Sequence, residues 1–153
     1  MSEQYWRMQL HPAKPSVSMH YAVQSIAAGF IGLDFATDPG DMKLAAPDSL
    51  PEGQKDYYDF AHRMAIGDKV LVMVHHYPFA LVTVEGDYNY IKACAPEIGV
   101  WFRHFRRINK NETRYYADRV THARQWEQIA MVDTISILKD PTARSYQLIH
   151  TWR

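Results

Sequence analysis

One cysteine carries all the thiol chemistry of this chain: Cys94 stands alone among 153 residues. That excludes an intrachain disulfide and a zinc site built on several thiolates, and it suits a reducing compartment. Long apolar runs are missing as well, none approaching the roughly 20 residues needed to span a bilayer. The opening MSEQYWRMQL has no basic stretch followed by a long apolar one, so no secretory signal is read there and the expected setting is cytoplasmic. Phosphate-cradling fingerprints are absent, with neither a P-loop nor G-x-G-x-x-G. No G-x-S-x-G elbow, H-E-x-x-H, H-x-H or Cys/His cluster occurs. Net charge is lacking too: 17 basic residues meet 17 acidic ones, which argues against a strongly basic nucleic-acid protein. Without repeats or low-complexity stretches, residues 1–153 read as one domain able to bury a sizeable core.

What the chain does have is aromatics, with ten Tyr, six Phe and four Trp. Its central stretch is IGDKVLVMVHHYPFALVTVEGDYNY, residues 66–90. Both faces of Val70–His75 are largely apolar, as a strand near the middle of a sheet requires. A His-Tyr-Pro connection leads to a second strand, Phe79–Glu85, with Pro78 at the turn or the strand's very start, where no ladder donor is needed. Further strands are predicted at Gln4–Leu10, Phe30–Phe35, Gly99–Ile108 and Asp133–Leu138. In Phe30–Phe35, Gly32 marks a place for close backbone approach. Met19, Ala22, Val23, Ile26 and Ala27 lie on one face of a predicted helix Val17–Ala28 that Gly29 ends. Gln54–Met64 is a second helix, with Tyr57, Phe60, Ala61 and Met64 at helical spacing. Ser145–Trp152 closes the chain as a strand or a short helix, and Asn89–Ile98 reads as a loop. Together these elements predict an α+β domain with a small curved sheet or barrel.

Three kinds of chemistry can be sought in these segments. Eight histidines, including His75-His76 and His104, raise a metal-dependent hydrolase, but neighbouring strand residues point to opposite faces and no third ligand stands at a diagnostic spacing. Cys94 follows Lys92 in a loop without a patterned base beside it and reads as an inert thiol. Paired carboxylates such as Asp34 with Asp38 or Asp41 have no geometry specified by their loop spacing. Binding has more parts. A base held out of its stack needs aromatic or apolar walls and a few polar groups for its edge. Phe35, Tyr77, Tyr88, Tyr90 and Trp101 are candidate walls, and Asp34 and His75, His76 or Asn89 are candidate edge-readers. Between Arg103 and Arg124 basic residues outnumber Glu112 and Asp118, and Arg103, Arg106, Arg107 and Lys110 are candidates for nucleic-acid phosphates.

Tyr5-Trp6 in the first strand, then G-F-I-G-L-D-F, then a helix running into M-A-I-G-D-K-V-L-V, resemble the PUA-like superfamily. P-F-A-L-V-T-V-E-G-D-Y followed by G-V-W-F-R-H-F-R-R-I is similar to its EVE and YTH-type modules, such as those attached to McrBC-type, modification-dependent restriction enzymes. The likeness runs over roughly Tyr5–Ile108. It implies a small, strongly curved β-barrel of about five or six strands flanked by helices, with a modified-base pocket at its rim. Carried over by position, that pocket takes Leu33, Asp34 and Phe35, then His75, His76 and Tyr77. Relatives often have Trp after the glycine of the second strand, whereas Leu33 follows Gly32 here. The expectation is therefore a non-catalytic, cofactor-free reader of a modified base. The base is methylated and in DNA, reached by base flipping, in a restriction or defence system whose nuclease or NTPase is another domain or partner. The alternatives are the hydrolase on the His-rich hairpin and a protein- or small-ligand-binding module.

Overall fold

A computed structural model describes residues 3–10, 15–34, 38–45, 55–94, 102–119, 126–130 and 133–152. Its centre is the strand pair anticipated from alternation. Strand β3 (Lys69–Val74) turns back through His75 and His76 into β4 (Tyr77–Thr83). The turn has two residues, because Tyr77 already pairs with Val74. Pro78 is the second residue of β4, and the register shift beside it leaves Phe79 as an extra residue, a β-bulge. Strand β1 (Tyr5–Gln9) lies parallel to β3 on the other side.

Strand β8 (Ile135–Leu138) adds antiparallel to β1, and β7 (Arg114–Tyr115) to β4, giving a mixed five-stranded sheet in the order β7-β4-β3-β1-β8. With β3 in the middle, both its faces are covered. Val70, Val72 and Val74 join Trp6, Met8, Ala80, Val82 and Val84 in the larger core. Leu71 and Met73 join Tyr5, Leu81, Leu148, Ile149 and Trp152 in a second core on the opposite face. That second core is covered by helix α3 (Arg144–Trp152), whose buried Ser145, Leu148, Ile149 and Trp152 recur at helical spacing. The final segment is therefore helix, one of the two outcomes the sequence left open.

Between β1 and β3 the chain makes helix α1 (Pro15–Ala28), strand β2 (Phe30–Leu33) and a short helix α2 (Lys55–Tyr58) that runs into a π-helical turn, Asp59–Arg63. Gly29 ends α1 at φ +92°, a conformation open to glycine and costly for other residues. Of the predicted α1 face, Ala22 and Ile26 are buried, while Val23 and Ala27 face outward, so the buried stripe is narrower than the spacing implied. Strand β6 (His104–Arg107) pairs with β2 on one side and with the two-residue β5 (Asn89–Tyr90) on the other, forming a second, three-stranded antiparallel sheet.

The two sheets meet at a corner where Val84 bridges Ile108, and where the Asn109 N–H donates to the Thr83 carbonyl at 2.9 Å. The eight strands among the described residues do not close into one continuous barrel; the architecture is α+β, with one mixed and one antiparallel sheet and three α-helices among the described residues. Asp68 ties the entrance of β3 to β1. Only 2% exposed, its carboxylate accepts from the Gln4 and Ala65 backbone N–H groups, the Gln4 amide and the Trp6 indole at 2.9–3.0 Å. No described helix is long and apolar enough to cross a membrane.

Candidate functional site

Three short pieces of chain end side by side at one end of the smaller sheet. Leu33, the last residue of β2, pairs with His104, the first of β6, and Tyr90 of β5 pairs with His104 from the other side. Gly32 permits the close fit: a Cβ there would lie 2.5–2.6 Å from the Phe102 side chain. As the chain leaves β2 it presents Asp34, and four residues later Asp38 comes back to the same place.

Arg103 joins the two carboxylates. Its Nη2 and Nε donate to Asp34 Oδ1 at 2.6 and 2.8 Å, and its Nη1 lies 3.5 Å from Asp38 Oδ2. Asp38 Oδ2 also accepts from the Tyr90 hydroxyl at 2.6 Å, and Oδ1 accepts from His104 Nε2 at 2.6 Å and the Gly40 N–H at 3.3 Å. On the far side of His104, Nδ1 is 2.7 Å from the Tyr88 hydroxyl, which accepts from the Met42 N–H at 3.1 Å. That order assigns the protons. The Tyr88 hydroxyl has no other acceptor among the described residues, so it donates to Nδ1, and a neutral His104 donates its Nε2–H to Asp38. The His104 ring packs against Tyr57, centroids 4.2 Å apart, and Tyr90, 4.9 Å apart.

The titration shifts agree with that assignment. Burial pushes His104 below its ordinary value, against the upward pull of Asp38. Burial alone would raise Asp38, but hydrogen bonds from Tyr90, His104 and Gly40 outweigh it and hold the carboxyl below its ordinary value. Tyr90 is raised, chiefly because its proton is bonded to Asp38. Burial and a 3.4 Å hydrogen bond to Asp34 push Cys94 up to about 11. A thiol so placed stays protonated at neutral pH and is a poor nucleophile. The cluster thus offers two partly covered carboxylates, 15% and 14% exposed at Asp34 and Asp38, on a floor of neutral aromatic and imidazole rings. It can accept hydrogen bonds from an amino group, and Tyr90 is the one ring named here that is not buried.

Of the residues singled out in the sequence, Asp34, Tyr88 and Tyr90 converge here. Leu33 sits under the site, fully buried in the larger core. Phe35 and Trp101 lie outside the described residues. The hairpin group is placed elsewhere. His75 and His76 form the turn of the five-stranded sheet, and Tyr77 is 47% exposed beside them. That turn is seated on the segment before β8, with the Ile129 N–H on the His76 carbonyl at 2.7 Å and the Trp126 indole on the Pro78 carbonyl at 2.8 Å. Among the described residues, no group of three or more His, Cys, Asp and Glu is placed to hold a metal ion.

The basic strand divides in the same way. Arg103 is committed to Asp34 and Asp38 and belongs to the cluster. Arg106 lies in the core and not on the exposed basic face expected of the strand. It is 3% exposed, and its guanidinium donates to the backbone carbonyls of Gly86, Phe60 and Met64. Alternation along β6 is the reason, since Phe102, His104, Arg106 and Ile108 all point inward. Arg107 and Lys110 do reach solvent and line a cavity of about 610 Å³ with Gly29, Phe30, Asn109 and Asn111. From the sequence, His104 is one of the histidines raised for metal chemistry, Asp38 a possible carboxylate partner of Asp34, and Tyr57 a helix-face residue; none is marked as part of a base site. For His104 the signal was present, because it shares a face with apolar Phe102 and Ile108. Asp38 and Tyr57 are brought in by the fold. No protein-family model matches the chain, and no curated protein matches it.

Proposed function

We propose that this chain is a PUA-like, non-catalytic reader of a modified base, acting on methylated DNA in a restriction or defence system within the cytoplasm. The observation that carries the reading is the convergence of Asp34, Asp38 and Arg103 beside the half-buried Tyr90 ring at the end of β2, with the Tyr57 and His104 rings buried beneath. A base turned out of its stack needs a flat apolar surface and fixed acceptors for its exocyclic amine, and this group supplies both kinds. In this reading the two sheets are the walls of the PUA-like barrel, and cleavage belongs to a nuclease or NTPase domain or partner.

Arg107 and Lys110 give the reading its phosphate contacts. Arg107 lies at the other end of β6 from His104, three residues or roughly 10 Å along the strand, and Lys110 follows in the turn beyond it. A nucleotide held at the cluster keeps the neighbouring backbone within reach of that cavity, where the exposed Glu85 carboxylate stands 3.9 Å from Arg107 and leaves Lys110 the freer cation. Fluorescence anisotropy with methylated and unmodified oligonucleotides, duplex and single-stranded, tests the proposal. The expected result is tighter binding of a modified strand and loss of that preference in Asp34→Asn. Equal affinity for modified and unmodified strands, or no binding at low salt, overturns it.

A further inference from the structure

A second cavity, of about 450 Å³, opens between the π-helical turn and the Asp87-Tyr88 step that leads into β5. Its floor is built by Arg106. In an α-helix the Met64 N–H would bond to the Phe60 carbonyl; in the π register it bonds to Asp59 instead, at 2.9 Å. The Phe60 carbonyl is thereby freed and accepts from Arg106 Nη1 at 3.0 Å, while Nε donates to Gly86. Two of the three guanidinium nitrogens are thus spent on backbone. Among the described residues nothing accepts from Nη2, and Arg106, 97% buried, lines the cavity. That nitrogen is what the buried cation can offer an occupant.

The rest of the lining is two-sided. On the polar side are Tyr88, Lys43, exposed and without an ion pair among the described residues, and His62, whose Nε2 bonds to the Met42 carbonyl at 2.6 Å. Met64 and the 58% exposed Ile66 make the other side apolar. Asp87 is the one acid on the lining, and Asp68, the other carboxylate that acts on Arg106, is saturated by four donors. We propose that this cavity binds a phosphate group carried on a nucleotide, with the phosphate on Arg106 Nη2 and Lys43 and the sugar or base over Met64 and Ile66. A fixed guanidinium edge and a mobile ammonium suit the several acceptor oxygens of a phosphate, and the cavity lies within the size range of small-ligand sites. The cavity shares Tyr88 with the cluster at the end of β2, but the proposal does not depend on that cluster's proposed role.

Calorimetric titration of the whole chain with adenosine monophosphate, adenosine and inorganic phosphate tests it. The nucleotide is expected to bind, inorganic phosphate more weakly, and adenosine not at all. Lys43→Ala, a surface change, is expected to weaken the nucleotide about three- to fivefold, and Ala65→Glu at the cavity rim at least about tenfold. A 5′-phosphorylated oligonucleotide that displaces the nucleotide assigns the phosphate to a nucleic-acid end; one that does not assigns it to a free nucleotide. Failure of the nucleotide to bind, binding of adenosine as tight as the nucleotide's, or indifference to both substitutions in correctly folded protein overturns the proposal.

Discussion

His104 shows how much one side chain can hold in place. Fully buried, it joins Tyr88 to Asp38 and supports two aromatic rings, and it does so as a neutral imidazole. Its folded pKa lies below the ordinary 6.5, so below that pH the unfolded chain takes up a proton that the folded chain refuses. Stability is then lost as pH falls from about 6.5 to the folded value. Asp38, held below 3.8, adds stability that disappears only at lower pH still. Asp56 runs the other way: burial first, then Asp59 and Asp133, raise it to about 6, so its contribution declines as pH rises from 3.8 to about 6. Urea midpoints measured across pH 4–8 are expected to show a shallower acid loss in His104→Gln than in the parent. The same series in Asp56→Asn is expected to show greater stability at pH 7. If His104→Gln leaves the acid limb unchanged, the proton assignment in the cluster is wrong.

At the level of elements, the β3–β4 hairpin was the plainest feature of the sequence, yet its turn was not. His75 adopts φ +56° and its Nε2 is buried without a hydrogen-bond partner. Neither is signalled by the residue type, because the usual left-handed turn residues, Gly and Asn, are missing. The predicted connection was accordingly set at His-Tyr-Pro, and the bulge at Phe79 was invisible. A left-handed conformation costs a non-glycine residue about 1–2 kcal/mol. His75→Gly is therefore expected to raise stability by about 1 kcal/mol and the thermal midpoint with it. A lower midpoint in calorimetry would mean that the histidine ring contributes more than its backbone costs. The helical segment before β3 teaches a related lesson. Tyr57, Phe60, Ala61 and Met64 fit helical spacing, and that spacing does not separate an α register from the π register that frees the Phe60 carbonyl.

Across the whole molecule, a neutral chain keeps its basic residues in two different roles. Arg106 holds the second sheet to the π-helical turn, while Arg107 and Lys110 face solvent. Arg106→Ala leaves carbonyls of Gly86, Phe60 and Met64 without their donor and is expected to cost about 3 kcal/mol, read as a drop in the urea midpoint. The double variant Arg107→Ala with Lys110→Ala is expected to unfold like the parent. Its oligonucleotide binding is expected to lose about two units of salt slope, one for each cation removed. An unchanged slope, measured by anisotropy over a range of salt, would take the phosphate contacts away from this face.

By itself the sequence determined the parts that follow from local periodicity. These are the doubly buried β3, the β1 and β8 strands within a residue or two, α1 with its glycine stop, and the need for glycine at position 32. Period-2 alternation also held the inward face of β6, and with it the burial of His104 and Arg106. Tertiary structure alone decided what that face meets. Asp38 and Tyr57 reach His104 because β2, β5 and the π-helical turn are brought together by long-range pairing, and no local pattern records which distant residue fills a shared space. The same holds for the histidines of the hairpin. Their side-chain chemistry marked them as candidates, but strand order places their turn in the other sheet, against the segment before β8.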